Sequence, residues 1–180
     1  MSFRALAISM TFLFMVSACF ESPVSITSPP SEKVDNTLLG YWVSKSHSPT
    51  EPPLKLVIMP FDQNQYLLTW QDGTEIFNAR GFASILNGQQ YMNIQNVMST
   101  DPKERTFVYF QFSLPSPKSL SVKMISSDTA SLKDKTFSTS QQLAQTLTNT
   151  KKSDIKFEDP ILFERTPAFK FEAVKEKPSK

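Results

Sequence analysis

Cys19 is the only cysteine in this 180-residue chain, and one aliphatic and two small side chains precede it, Val16-Ser17-Ala18. A sole cysteine cannot be half of an internal disulfide, so the sulfur is not there to cross-link the fold. His47 is likewise the only histidine, set among Ser46, Ser48 and Pro49 in a stretch that reads as a loop. A histidine-based triad or a zinc site needs partners, and the chain has no second histidine and no cysteine beyond Cys19. A solvated loop histidine is the simpler reading. Asp72, Glu75, Asp101 and Glu104 fall in turns or at strand ends, and their spacing matches no acid–base pair. No phosphate-binding glycine loop, dinucleotide fingerprint or calcium loop is present. These residues call for no cofactor and no metal, and the chain reads as a non-enzyme.

The elements around Cys19 say more. Arg4 supplies a short positive start, and Ala5 to Val16 form an apolar stretch too short to span a bilayer comfortably but suited to a secretory signal. Val16-Ser17-Ala18-Cys19 resembles the lipobox of bacterial lipoproteins. That resemblance implies diacylglyceryl transfer to the Cys19 sulfur, cleavage after Ala18 and acylation of the new amino terminus. The protein would then be attached to a membrane of the cell envelope through Cys19. Phe20 stands where an Asp commonly marks inner-membrane retention, so the resemblance implies the outer membrane, facing the periplasm. The plainer alternative is a cleaved secretory signal followed by an incidental cysteine.

Removing residues 1–18 leaves 162 residues, enough for one domain with a real core. Arg4 leaves with them, so 18 basic residues face 17 acidic ones. That balance gives no basic face for nucleic acid. Residues 19–36 are predicted to be a lipidated tether, since Phe20 to Asp35 are rich in Ser and Pro, carry no apolar period and reach at most roughly 50 Å when extended. A domain over 37–168 and a charged tail over 169–180 complete the division, the domain being expected to stand clear of the bilayer.

From Leu38 onward, short runs alternate with turn signals. Leu54, Leu56 and Ile58 share a face, as do Tyr66, Leu68 and Trp70. Glu75 to Leu86 puts Phe77, Ala79, Gly81, Ala83 and Ile85 on one side, and Asn87-Gly88 then signals a two-residue hairpin. Met92 and Ile94 alternate with Tyr91, Asn93 and Gln95. Val108, Phe110, Phe112 and Leu114 alternate with Phe107, Tyr109 and Gln111, and Leu120, Val122 and Met124 with Ser119, Ser121 and Lys123. Period two at this spacing predicts an antiparallel meander. One helix is predicted over Thr139 to Asn149, with Leu143, Ala144 and Leu147 on one face and a capping box from Ser138 or Thr139. A last strand runs from Ile161 to Arg165. The expected fold is all-β with one short helix, an eight-stranded up-and-down barrel that leaves no open edge. A two-sheet β-sandwich is the alternative.

Gly40-Tyr41-Trp42 on the first strand and Arg165 on the last resemble the lipocalin and fatty-acid-binding-protein superfamily. In that superfamily the Trp closes one end of the barrel and a basic residue packs over its indole. The resemblance implies barrel-closing roles for Gly40, Trp42 and Arg165, and it looks most like the small lipocalin-like bacterial lipoproteins. It also implies a small hydrophobic ligand in the barrel, which the Phe-rich strands would suit; 15 of the 180 residues are Phe. The alternative is a filled barrel that serves an envelope protein partner, with Tyr41, Phe107 and Tyr109 as candidate exposed anchors.

Overall fold

A computed structural model of the chain describes residues 19–45, 52–97, 101 and 105–167. Its strands are β1 (Glu21–Ser22), β2 (Gly40–Ser44), β3 (Lys55–Pro60), β4 (Tyr66–Asp72), β5 (Glu75–Leu86), β6 (Gln89–Asn96), β7 (Phe107–Ser116), β8 (Ser119–Met124) and β9 (Ile161–Thr166). One helix, α1 (Ser140–Asn149), lies between β8 and β9. Strands β2 to β8 pair antiparallel with their neighbours in sequence, and β9 joins β8 to β2. The result is a closed eight-stranded antiparallel barrel, lipocalin-like in form, and not a pair of packed sheets. Closure pairs each of the eight strands on both sides, except at the start of β7, which extends beyond its pairing with β8.

Local sequence accounts for the corners. Asn87 and Gly88 both take positive φ, 50° and 69°, so the β5–β6 turn has the twist a two-residue hairpin requires. Pro115 has no amide hydrogen to donate, and the β7–β8 register shifts by one residue between Ser113 and Ser116. Thr139 caps α1 by accepting from the Gln142 amide, and the Gln142 side chain returns to the Ser138 amide. The capping box therefore starts from Thr139.

Alternation puts two cores on the two faces of one sheet. The inward row fills the barrel with Trp42, Leu56, Ile58, Tyr66, Leu68, Met92, Ile94, Phe112, Leu120, Val122 and Phe163. A second core lies outside, where Tyr91, Tyr109 and Ile125 meet Leu143 and Leu147 of α1. Phe20 and Ile26 from the amino-terminal segment complete it. The Phe20 ring stacks on Tyr109 at 5.6 Å between centroids and meets Phe137 edge-on at 6.0 Å.

Three expectations are corrected here. Residues 19–36 do not form a free tether: β1 pairs with β7 at Val108 and Phe107, on the edge that β8 leaves open. Ile26 and Phe20 are buried, so the segment is a strap laid over the outer sheet. The burial of these two apolar side chains holds it where its Ser and Pro content suggested solvent. Tyr109 points outward from the barrel but is 0% exposed, because the strap and α1 cover it; Tyr41 stays exposed and Phe107 is half-buried. Phe77 and Ile85, at the two ends of the β5 inward row, are exposed where the strand overhangs the barrel.

Candidate functional site

The strand register makes Trp42 and Arg165 direct neighbours across β2 and β9. The guanidinium carbon stands 4.2 Å from the Trp42 ring centroid, within cation–π range, and Trp42 is fully buried. Each nitrogen of the guanidinium has a backbone carbonyl: Nη1 donates to Leu39 at 2.7 Å, Nη2 to Thr37, and Nε to Pro117 at 3.0 Å. The indole Nε1 donates to the Leu38 carbonyl at 2.9 Å. Gly40 sits at φ 136°, and a Cβ there would lie 3.0 Å from Arg165 Nη1. A side chain at position 40 would therefore strain the backbone and push the guanidinium away. These contacts tie the turn before β2, the β7–β8 turn and the last strand together. This end of the barrel is shut, and its cation is fully engaged in shutting it.

The interior beyond that end is occupied. Trp42, Tyr66, Phe163, Leu56, Ile58, Met92 and Leu120 are all below 2% exposed and meet one another across the barrel. Partly buried side chains flank this packed middle at both ends, Leu39 and Leu114 near Arg165 and Leu54, Trp70, Phe110 and Ile161 at the opposite end, with Trp70 edge-on to Phe163 at 5.5 Å.

Cys19 lies half-buried beside Ser126, just past the end of β8, and the next residue's amide donates to the Ile125 carbonyl at 3.0 Å. Burial pushes an unmodified Cys19 thiol up to about 11, and the Glu158 and Glu21 carboxylates push the same way. Such a thiol is not the activated nucleophile of a redox or hydrolytic site. Val16, Ser17, Ala18, His47 and Glu104 lie outside the described residues. Asp72 and Glu75 face each other across the β4–β5 turn, with Asp101 exposed on another connection. Among the described residues, no three His, Cys, Asp or Glu side chains are grouped to hold a metal ion.

A polar network that the sequence reading missed holds the strap. Asn93 is 0% exposed on the outer face of β6. Its Oδ1 accepts from the Ile26 amide at 2.7 Å, and its Nδ2 donates to the Phe82 carbonyl at 3.1 Å and to Ser84 Oγ at 2.7 Å. Ser84 Oγ in turn lies 2.6 Å from Thr27 Oγ1. Further along, the Tyr109 hydroxyl donates to the Val24 carbonyl, and the Tyr66 hydroxyl accepts from the Asp35 amide at 2.7 Å. Burial raises both tyrosines above their ordinary range. The one signal available was an Asn placed between the apolar Met92 and Ile94 and on the same strand face as Tyr91.

In comparisons with protein-family models, with curated proteins and with solved structures, nothing matches this chain. The functional reading is carried by its own residues and their geometry.

Proposed function

We propose that this is a lipid-anchored protein of the bacterial cell envelope, attached to the outer membrane through Cys19 and facing the periplasm. Its barrel serves as a non-enzymatic interaction or structural module. The lipobox-like Val16-Ser17-Ala18-Cys19 supports the anchoring. The observation that carries the rest is the packed interior: Trp42, Tyr66, Met92 and Phe163 occupy the space a calyx ligand would need. A barrel of eight strands is just wide enough for side chains to fill it, and here they do. What it offers a partner is then its outer surface.

The anchoring is tested by globomycin, which should make the precursor accumulate, and by Cys19→Ala, which should leave unprocessed or soluble protein. A processed Cys19→Ala protein that still fractionates with membranes would refute it. Photo-crosslinking from exposed positions such as Tyr41 should capture discrete envelope partners. A second reading, a small hydrophobic ligand, is favoured by one feature only: the partly buried Leu54, Trp70, Phe110 and Ile161 near the end opposite Arg165. Native mass spectrometry of the purified protein separates the two. A stoichiometric co-purifying lipid that survives buffer exchange would favour the ligand over the partner.

A further inference from the structure

We infer that the protein stands on its membrane in one fixed orientation, with the Cys19 end of the barrel against the bilayer and the Trp42–Arg165 end turned away. This rests on the lipid attachment at Cys19 proposed above. The antiparallel meander sorts the connections between two ends. The β3–β4, β5–β6 and β7–β8 turns lie at the end that Arg165 closes. The β4–β5 turn and the ends of β2, β6 and β8 lie at the other, where Cys19 pairs with Ser126.

A free tether would let the barrel tumble beneath its anchor. The strap removes that freedom. It is fastened along its length by the Phe20 amide on Ile125, by β1 on β7, by Val24 on Tyr109 and by Ile26 on Asn93. The Asn64 side chain then holds the Ser31 and Glu32 carbonyls, and the Val34 amide donates to Gln63. Acyl chains on Cys19 would thus leave directly from the barrel end, with no slack between lipid and fold. Glu21 and Glu158 beside Cys19 suit zwitterionic headgroups better than anionic ones.

The test uses the lipidated protein in phosphatidylethanolamine–phosphatidylcholine vesicles carrying a nitroxide quencher on the headgroup. A fluorescent amino acid is placed at Thr74, on the β4–β5 turn, or at Lys118, on the β7–β8 turn; both are exposed. The seven residues of β4, tilted as barrel strands are, separate the two ends by roughly 18 Å, so quenching at Thr74 should exceed that at Lys118 by about twofold or more. Phe20→Ala removes the ring packed on Tyr109 and Phe137 next to the anchor, and together with Asn93→Ala it should release the strap and erase the difference while the protein stays on the vesicles. Equal quenching in the wild type overturns the inference. So does a difference that persists after limited proteolysis shows the strap released. If the wild-type protein does not float with vesicles, the anchoring has failed, a separate result that takes the orientation with it.

Discussion

Replacing Trp42 by Ala, alone and together with Arg165→Ala, tests whether one residue pair holds the barrel's end shut. Trp42 is fully buried, so truncating it removes a large apolar side chain from a packed interior and leaves a cavity, at about 3–5 kcal/mol. The lost Nε1 bond to Leu38 adds roughly 1 kcal/mol. Arg165 is half-buried, and water can replace part of what it gives to Thr37, Leu39 and Pro117, so Arg165→Ala should cost less, about 2 kcal/mol. The two losses are not independent, because the guanidinium rests on the indole at 4.2 Å and both side chains fix the same turn. Once Trp42 is gone, Arg165 has less to hold, and the double mutant should lose about 1 kcal/mol less than the sum of the singles. Thermal and urea unfolding of the four proteins followed by circular dichroism measure this, with Trp42→Ala lowering Tm by roughly 10–15 °C. Arg165→Lys should recover less than half of the Arg165→Ala loss, since an ammonium cannot reach three carbonyls in a fixed fork. Strict additivity would refute the reasoning, as would full rescue by Lys.

Asn93→Ala should cost about 2–3 kcal/mol, because it leaves the buried Ile26 amide without an acceptor and takes a donor from Ser84 and the Phe82 carbonyl, and limited proteolysis should then cut within residues 20–35 first. A strap that stays protected would place its stability elsewhere. Gly40→Ala should destabilise by roughly 1–3 kcal/mol through its φ of 136° and the clash with Arg165, read by the same melts; an unchanged Tm would mean that the turn relaxes freely. In protein kept unlipidated, Cys19 alkylation by iodoacetamide should still be climbing at pH 10, where an ordinary thiol has levelled off. The folded state binds that proton more tightly than the unfolded one. Its stabilising effect is thus complete below pH 9 and fades as the pH rises through about 11. An alkylation profile centred near pH 9 would show that the thiol is not buried beside Glu158.

The parts of this fold that were legible are those in which each residue's role depends on its immediate neighbours. Period-two alternation located the strands, and Asn87-Gly88 marked a turn because both residues accept positive φ. Gly40, Trp42 and Arg165 could be singled out because that pattern has a known geometric meaning at a barrel's end. The strap was not legible for the opposite reason. Its anchors, Phe20 and Ile26, sit six residues apart with Pro and Ser between them, a spacing that belongs to no regular element. What the segment binds is 67 residues away in one case, Ile26 at Asn93, and 85 in another, Val24 at Tyr109. Strands β6 and β7 carried the other half of the message: Tyr91, Phe107 and Tyr109 make their outer rows apolar too. A sheet facing water on one side does not need that, so a strand with two apolar faces calls for a second covering layer. The segment most easily dismissed as linker supplies it. Serine and proline therefore argue against regular structure in residues 19–36, but they do not argue against attachment to a sheet whose outer face still has apolar surface to bury.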